Sequence, residues 1–126
     1  MSQPAKILIV DDEPDLAETV RFSLELEGYS VLVATNGEEG LNVARQEKPD
    51  LILLDLMLPK LDGYKVCRLL KFDERYKSIP ILMLTAKTQE KDKILGKETG
   101  ANEYLTKPFD MDELMAKIKS YLSKQE

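Results

Sequence analysis

Five short runs rich in Val, Ile and Leu recur along the chain, with stretches of helical character between them. The runs lie at 6–10, 30–34, 51–55, 80–84 and, more weakly, 102–106. Because they are apolar at nearly consecutive positions, they predict strands buried on both faces, which is typical of a parallel sheet. Strand and helix alternate throughout, and right-handed crossovers then predict an α/β protein with an open doubly wound (βα)5 parallel sheet.

The segments between and after the runs predict five helices. They extend over 15–27, from an Asn36 cap to 46, from 62 or 63 onward, over 89–99 and from 111 to about 123. On the buried stripes we place Leu16, Val20, Phe22 and Leu24 of the first helix and Val66, Leu69 and Leu70 of the third. The helix over 89–99 is much more polar than the others, so we expect it to be the least firmly packed.

The composition is that of an ordinary globular protein. With 126 residues, of which 43% are hydrophobic and 33% charged, the chain predicts a single domain over 1–126. The net charge of −5 argues against a nucleic-acid partner held by phosphate contacts. Cys67 has no second Cys or His for a disulfide or zinc site, and we expect it in the core. No run has the length of a signal-peptide core or a membrane span, so we predict a cytoplasmic protein without a membrane partner.

The residues that end or follow the predicted strands are polar in a non-random way. They are Asp11, Asp12 and Glu13 after the first strand, Asp55 at the end of the third, Thr85 and Ala86 after the fourth, and Lys107 and Pro108 after the fifth. Ligands of doubly wound sheets bind beyond the carboxyl ends of the strands, so these groups are expected to converge. Two carboxylates about 4 Å apart repel by roughly 4 kcal/mol at an effective dielectric of about 20. A hard divalent cation would relieve that repulsion, and oxygen donors without His favour Mg²⁺, with Mn²⁺ as a substitute.

A carboxylate in such a site also acts as a nucleophile towards phosphorus and then forms an acyl phosphate. Asp55, at the end of a buried run, is our candidate for this role. The transferring phosphoryl group spreads negative charge over three equatorial oxygens, so positioned charges and donors carry the catalysis. We assign one oxygen to the cation, a second to the Lys107 ammonium, and a third to the Thr85 hydroxyl together with the Ala86 N–H.

Four separated motifs resemble, in order and spacing, those of the receiver domain of two-component response regulators. They are DDE at 11–13, LLDLMLPKLDG at 53–63, LTA at 84–86 and GANEYLTKPF at 100–109. The resemblance covers essentially the whole chain and implies a flavodoxin-like fold with strand order 2-1-3-4-5. It also implies a signalling module rather than an enzyme with a separate substrate. Its Asp55 would take a phosphoryl group from the phosphohistidine of a histidine kinase or a phosphotransfer protein, and a downstream protein target or output domain would read the result.

The same resemblance assigns the metal ligands residue by residue. It implies that Mg²⁺ is bound directly by Asp12 and Asp55, mostly through water by Asp11, and by the backbone carbonyl of Met57. Thr85 and Lys107 would contact the phosphoryl group. The Lys107–Pro108 peptide bond is expected to be cis, against a base rate of about 5–6% for X–Pro bonds in general.

The resemblance also implies a switch and a control of phosphoryl lifetime. Tyr104 matches the switch aromatic that turns inward as Thr85 moves towards the phosphoryl group, and a static half-buried aromatic is the alternative. Met57 and Lys87 occupy the two positions that tune hydrolysis by controlling the access of water. We expect the bulky apolar Met57 to slow that hydrolysis.

Two other functional classes fit only parts of this pattern. A phosphatase of the haloacid-dehalogenase type also uses an Asp nucleophile and Mg²⁺, but it needs a second Asp two positions later, where this chain has Met57. The neighbouring Leu56 and Leu58 move no proton either. A nucleotide- or flavin-binding module needs a glycine-rich first turn, whereas residues 11–15 read DDEPD. Within the receiver family, the domain is either a stand-alone regulator or the receiver of a longer DNA-binding regulator.

The stretch 95–118 resembles the subfamily whose receivers dimerise through the fourth helix, the fifth strand and the fifth helix. A phosphorylation-dependent homodimer would use an apolar patch of Ile94, Leu95 and Ala116 with Lys93, Glu103 and Lys117 as charge partners. Two positions depart from the subfamily: Asn102 stands where it often has an acid, and Lys97 where it usually has an apolar residue.

Overall fold

The computed structural model describes residues 4–58, 60–86 and 100–123. Within these residues five strands form one sheet: β1 Lys6–Val10, β2 Ser30–Ala34, β3 Leu51–Asp55, β4 Ile81–Ala86 and β5 Glu103–Lys107. All neighbouring strands pair in parallel, in the order β2-β1-β3-β4-β5. The predicted open doubly wound sheet and its strand order are therefore confirmed. The last two strands begin one residue later than the apolar pattern indicated.

Four helices lie in the described ranges: α1 Pro14–Leu26, α2 Gly37–Glu47, α3 Gly63–Lys71 and a C-terminal helix, Met111–Ser123. The predicted cap Asn36 accepts a hydrogen bond from the Glu39 N–H at 2.8 Å, and Asp62 accepts one from the Lys65 N–H at 3.0 Å. These side-chain oxygens satisfy amides that the first helical turn leaves free, which fixes where each helix begins. The predicted helix over 89–99 lies outside the described residues.

Each face of the sheet carries its own apolar cluster. The C-terminal helix and α1 cover one face, and α2 and α3 cover the other. Because side chains alternate along a strand, Ile7 and Ile9 pack towards α1, whereas Leu8 and Val10 pack towards α2 and α3. Burial on both faces explains why the strands read as continuous apolar runs. Cys67 is fully buried among the residues of α3, as predicted.

Two residues that the sequence pattern placed in the core lie on the surface instead. Phe22 is 64% exposed and Leu69 is 40% exposed. An α-helix has about 3.6 residues per turn, so Phe22, two residues from both Val20 and Leu24, points away from the stripe that they form. On α3, Cys67 is one of the buried residues, and Leu69 lies at the edge of the buried face of the helix. None of the helices in the described ranges is both long enough and apolar enough to cross a membrane.

Candidate functional site

The carboxyl ends of four neighbouring strands meet at one edge of the sheet. Asp55 is the last residue of β3, which lies between β1 and β4. Asp11 follows β1 directly, Thr85 lies near the end of β4, and Lys107 ends β5. The sheet therefore brings together side chains that are distant in the sequence: Lys107 and Asp11 are hydrogen bonded although they are 96 positions apart.

Three carboxylates form the acidic part of this site. One oxygen each of Asp11, Asp12 and Asp55 lies within 4.8 Å of the others. Asp11 is 1% exposed and Asp55 is 5% exposed, whereas Asp12 is open to solvent. Water therefore screens the repulsion between the two buried carboxylates poorly, and the pair needs a cation.

Lys107 supplies positive charge to this pair. Its Nζ lies 3.1 Å from Asp11 Oδ2, 3.5 Å from Asp55 Oδ2 and 3.4 Å from Glu13 Oε1. Burial disfavours the charged ammonium, but attraction to Asp55 and Asp11 outweighs it and the pKa of Lys107 is raised. One ammonium thus faces three carboxylates, and Asp12 adds a fourth beside them, so the site has a charge deficit that a further cation would fill.

The carboxylate of Asp55 is held at both oxygens. The Met57 N–H donates to Oδ1 at 3.3 Å, and Lys107 lies beside Oδ2. Burial raises the pKa of Asp55 to about 6; the charge of Lys107 opposes the rise and that of Asp11 adds to it. At neutral pH the carboxylate is therefore mostly ionised but poorly solvated, as a nucleophile should be.

A buried hydroxyl on the neighbouring strand β4 has no hydrogen-bond partner among the described residues. Thr85 is 1% exposed, and its Oγ1 is the atom concerned. Leaving a buried polar atom in this state costs about 1–3 kcal/mol, so it marks a place where a ligand oxygen would be bound. Ala86, whose N–H was assigned the same oxygen, follows as the last residue of β4.

Tyr104 lies on β5 opposite Met83 of β4. It is half-buried, and it packs against the apolar cluster that α2 and α3 cover. One strand pairing therefore connects Tyr104 with the strand that carries Thr85. This placement suits both the switch role and the static role that the sequence left open.

The loop after Asp55 folds back tightly onto the start of α3. The Gly63 N–H donates to the Leu56 carbonyl at 3.0 Å, and a Cβ on Gly63 would collide with the backbone of Asp55 and Leu56. Only glycine permits this approach, so the LDG at the end of the second motif shapes the site from behind. On its other side, the Lys107–Pro108 peptide is cis.

Sequence reasoning missed the polar contacts of two residues, Glu13 and Lys71. Glu13 was placed among the converging residues without a partner, but its side chain pairs with Lys107 and its N–H donates to Asp11 Oδ1 at 2.8 Å. The DDE motif was the available signal. At the amino end of β4, Lys71 donates to Asn102 Oδ1 at 2.9 Å and to the Ile79 carbonyl at 3.0 Å. No local sequence pattern predicts these contacts.

The residues proposed for a dimer surface are only partly described. Glu103 Oε1 lies 3.4 Å from Lys117 Nζ within one chain, and Ala116 is exposed. The remaining predicted members, Lys93, Ile94, Leu95 and Lys97, lie outside the described residues, as does Lys87.

Comparison with known sequences places this constellation in a family. The sequence model of the response regulator receiver domain matches residues 7–119. The chain is 51% identical over 117 residues to the DNA-binding dual master transcriptional regulator RpaA of Synechocystis sp., covering 93% of this chain and 48% of the relative. It is also 51% identical over 121 residues to the alkaline phosphatase synthesis transcriptional regulatory protein PhoP of Bacillus subtilis, covering 96% and 50%. The chain thus spans about half the length of these two relatives.

Solved structures agree with the sequence comparison. A putative response regulator from Chloroflexus aurantiacus superposes with a TM-score of 0.89 at 42% identity, over 95% of this chain and 98% of that one. The receiver domain of the sensor histidine kinase PA1611 from Pseudomonas aeruginosa, described with a magnesium ion coordinated in its active site cleft, gives 0.87 at 32% identity over 95% and 98%. The chain belongs to the response regulator receiver domains, the phosphoacceptor signalling modules of two-component systems.

Proposed function

We propose that Asp55 is the phosphoacceptor of this domain and that residues 1–126 act as a single receiver. The observation that carries the proposal is the buried Asp55 carboxylate with Lys107 Nζ 3.5 Å from one oxygen and two further carboxylates within 4.8 Å. A nucleophilic carboxylate, a fixed cation and a charge deficit together fit phosphoryl capture. The same loop excludes the dehalogenase-type phosphatase, because a thioether at Met57 transfers no proton.

The donor set fits Mg²⁺. Three carboxylate oxygens within 4.8 Å, one from a residue open to solvent, suit a hard cation that keeps several waters. Asp12 and Asp55 would bind it directly, Asp11 mostly through water, and the Met57 carbonyl would complete the protein ligands. When bound, the ion supplies positive charge that screens the carboxylates from one another and from the incoming phosphoryl oxygens. Mn²⁺ prefers the same oxygen ligands and is the proposed substitute.

The transfer follows from the geometry of the side chains. An oxygen of Asp55 attacks the phosphorus of a phosphohistidine, a P–O bond forms as the P–N bond breaks, and the leaving imidazole takes a proton. Lys107 holds a second phosphoryl oxygen, and the orphaned Thr85 hydroxyl with the Ala86 N–H holds a third. The domain therefore catalyses only its own phosphorylation and the later hydrolysis of its acyl phosphate.

Small phosphodonors test this proposal directly. The protein is incubated with acetyl phosphate or phosphoramidate and Mg²⁺, and its intact mass is measured. Wild type should gain one phosphoryl group, and Asp55→Asn, which preserves shape but removes the nucleophile, should gain none. Phosphorylation of Asp55→Asn to the wild-type extent would reject Asp55 as the acceptor.

Calorimetric titration with Mg²⁺ and with Mn²⁺ tests the metal assignment. Asp12→Asn should weaken the binding of both ions by about tenfold or more, because it removes a charged ligand from an exposed position without disturbing the core. Glu47→Gln, at an exposed carboxylate outside the site, is the matched control and should bind as wild type does. Equal binding by all three proteins would place the ion elsewhere.

We propose that Met57 slows hydrolysis of the acyl phosphate on Asp55. Its side chain is 63% exposed, two residues after Asp55. An apolar group there excludes the attacking water, whereas an amide can hold one. Met57→Asn should therefore shorten the lifetime of the phosphorylated protein, followed by intact mass after the phosphodonor is removed. An unchanged lifetime would remove this role.

Phosphorylation adds about two negative charges beside Thr85, and we propose that this biases a two-state surface. Thr85 moves towards the phosphoryl group, Tyr104 turns inward, and the face of the predicted fourth helix, β5 and the C-terminal helix docks on a target protein or output domain. The donor is a sensor histidine kinase or a phosphotransfer protein, and the setting is cytoplasmic. Tyrosine fluorescence before and after phosphorylation, compared with Tyr104→Phe and Tyr104→Ala, reads the switch; identical spectral changes in all three would leave Tyr104 static.

When no other partner is present, we propose that phosphorylation causes the domain to form a homodimer through the same face. Lys117 and Glu103 already pair within one chain, so a two-fold dimer would exchange these charges between copies. Sedimentation should show dimers only after phosphorylation, and Lys117→Glu should prevent them. The matched reversal Lys119→Glu should not. A phosphorylated wild type that stays monomeric rejects the dimer and leaves the role of Asp55 intact.

The DNA-binding description of RpaA, the transcriptional regulatory description of PhoP and the length of both relatives support a second candidate function, control of an attached DNA-binding half. The gene downstream of codon 126 should then encode such a module. The affinity of the full chain for DNA should rise on treatment with acetyl phosphate and Mg²⁺, and Asp55→Asn should abolish the increase. A reading frame without that module favours the stand-alone regulator.

A further inference from the structure

Glu13 is the N-cap residue of α1, but it does not use its side chain as a cap. Within the described residues, that side chain accepts no hydrogen bond from the first turn of the helix. The backbone of Glu13 is held on both sides, because its N–H donates to Asp11 Oδ1 at 2.8 Å and its carbonyl accepts from the Ala17 N–H at 3.0 Å. The carboxylate extends instead to Lys107, where Oε1 lies 3.4 Å from Nζ.

Lys107 has as many carboxylate partners as an ammonium has N–H donors, which is three. The partners are Asp11 at 3.1 Å, Glu13 at 3.4 Å and Asp55 at 3.5 Å from Nζ. A phosphoryl oxygen that binds this ammonium therefore has to share or take the donor that one of the carboxylates uses. The question is which of the three gives way.

The three carboxylates differ in the cost of leaving Lys107. Asp11 and Asp55 are buried, whereas the side chain of Glu13 is 61% exposed. A buried carboxylate that loses its cation stays poorly solvated, which is costly, but water solvates an exposed carboxylate as it leaves. The Glu13 carboxylate is therefore the partner that an incoming anion displaces most easily.

We propose that Glu13 is a positioning residue that occupies one side of the Lys107 ammonium until the phosphoryl group of the donor displaces it. This inference rests on the proposed function, in which Asp55 is the phosphoacceptor and Lys107 contacts a phosphoryl oxygen. Glu13 acts through Lys107 as a competitor of the donor. It raises the donor concentration that the reaction needs, and it leaves the chemical step at Asp55 unchanged because it has left Lys107 by then.

Competition by a carboxylate also discriminates between phosphodonors by their charge. Repulsion from Glu13 rises with the negative charge of the donor. Acetyl phosphate is a dianion at neutral pH, whereas the leaving nitrogen of phosphoramidate or phosphohistidine takes a proton, which lowers the net charge. The domain therefore reacts less readily with free acyl phosphates than with the phosphohistidine of a protein donor.

Rates of phosphorylation at saturating Mg²⁺ test this competition. Intact mass is followed against time over a range of donor concentrations for wild type and for Glu13→Gln, which keeps the shape of the side chain and removes its charge. At low acetyl phosphate concentration Glu13→Gln should react about threefold faster, and with phosphoramidate less than about twofold faster. The maximal rate should stay within about twofold of wild type. Glu18→Gln, the same change at an exposed carboxylate further along α1, is the matched control and should react as wild type does.

Salt and phosphoryl lifetime distinguish competition from a structural change. The ratio of the two rates with acetyl phosphate should fall towards unity between about 0.1 M and about 1 M salt, because the Debye length falls from about 10 Å to about 3 Å. The lifetime of the phosphorylated protein should be the same in Glu13→Gln and wild type, since the phosphoryl group has already displaced Glu13. Circular dichroism checks that the variants are folded.

Three results would overturn the proposal while leaving the role of Asp55 intact. Slower phosphorylation of Glu13→Gln would mean that Glu13 holds Lys107 in place instead of competing for it. Equal rates in Glu13→Gln and wild type would show that Glu13 has no influence on the donor. An equal gain with both donors would exclude selection by charge. A wild type that gains no phosphoryl group from either donor would overturn the proposed function and this inference together.

Discussion

Two half-buried lysines at opposite ends of the sheet acquire opposite properties. Lys107, at the carboxyl end of β5, faces the carboxylates of Asp11 and Asp55, and its pKa is raised. Lys71, at the end of α3, donates to the neutral oxygens of Ile79 and Asn102, and burial lowers its pKa. Burial opposes the ammonium in both places, so the partners decide the outcome: full negative charges outweigh desolvation, and neutral dipoles do not.

The difference separates a reactive site from a structural contact. Lys107 shares its charge among three carboxylates at 3.1–3.5 Å, and the same edge of the sheet carries the Thr85 hydroxyl, which has no hydrogen-bond partner among the described residues. This end therefore gains from an anion and a cation together. At the other end Asn102 is already satisfied, because its Oδ1 accepts from Lys71 and from the Ile81 N–H. Gly100, with a positive φ of 87°, lets the chain pass over the stem of Lys71. That end connects α3 with the start of β4 and β5.

Exchanging each lysine for an apolar residue should give the largest contrast. Lys107→Ala removes the positive charge that meets a transferring phosphoryl oxygen, and we expect phosphorylation by acetyl phosphate to slow by about 10²-fold or more. Lys71→Met should leave that rate within about twofold, because its contacts lie at the far end of the sheet. Intact mass against time measures both rates. Similar losses in the two variants would mean that general instability, and not the charge of Lys107, limits the reaction.

The pKa of Asp55 predicts the next largest effect. In metal-free protein this carboxyl has a pKa of about 6 when folded and 3.8 when unfolded, so between these values the folded state binds more protons. Ionisation of Asp55 therefore lowers the free energy of unfolding. This penalty is absent at pH values far below 3.8 and is fully present above about pH 6. With a chelator present, the free energy of unfolding of Asp55→Asn should be higher than that of wild type by about 2 kcal/mol at about pH 7. Near about pH 4 the difference should be much smaller.

Urea unfolding at both pH values measures this difference. Adding Mg²⁺ at neutral pH should narrow it, because the ion stabilises only the protein that has the charged ligand. A difference that is the same at both pH values would show that the substitution acts through packing instead of charge.

The amino-end contact should show itself in stability. Lys71→Met leaves the buried carbonyl of Ile79 without this donor, and we expect the free energy of unfolding to fall by about 1–2 kcal/mol. Lys77→Met, at an exposed lysine in the next loop, is the control and should change it by less than about 0.5 kcal/mol. If the free energy of unfolding fell equally in Lys71→Met and Lys77→Met, the contact of Lys71 would contribute no more than an ordinary surface interaction.

The same contrast explains what the sequence could and could not predict. Parallel topology brings the ends of the strands together whatever the loops do, so Asp11, Asp55 and Lys107 were predictable from three apolar runs and the residues that follow them. The bounds of the first three strands followed from their continuous apolar runs, whereas the last two strands begin one residue later than their runs indicated. The pairs of Glu13 with Lys107 and of Lys71 with Asn102 were not predictable, because long side chains find partners 94 and 31 positions away that no local pattern relates.

Errors on the helices have a related cause. An amphipathic pattern gives the direction of the buried face only to within about one residue spacing on the helical wheel, so an apolar residue beside the stripe is easily assigned to it. Leu69 is such a residue, whereas Phe22 lies across the helix from Val20 and Leu24 and should not have been assigned to their stripe. Both side chains are exposed to solvent, Phe22 by 64% and Leu69 by 40%.

The smallest predicted effect tests whether Lys71 responds to charge as Lys107 does. Asn102→Asp keeps an acceptor for both Lys71 and the Ile81 N–H but makes it anionic. The pKa of Lys71 should then rise, and the free energy of unfolding should increase by about 0.5 kcal/mol, an increment that disappears in high salt. Asn102→Leu, which removes the acceptor, should instead destabilise by about 1–2 kcal/mol. If Asn102→Asp destabilised the protein at low salt, desolvation would govern this end of the sheet even against a full charge, and the partners of a half-buried lysine would not suffice to decide its pKa.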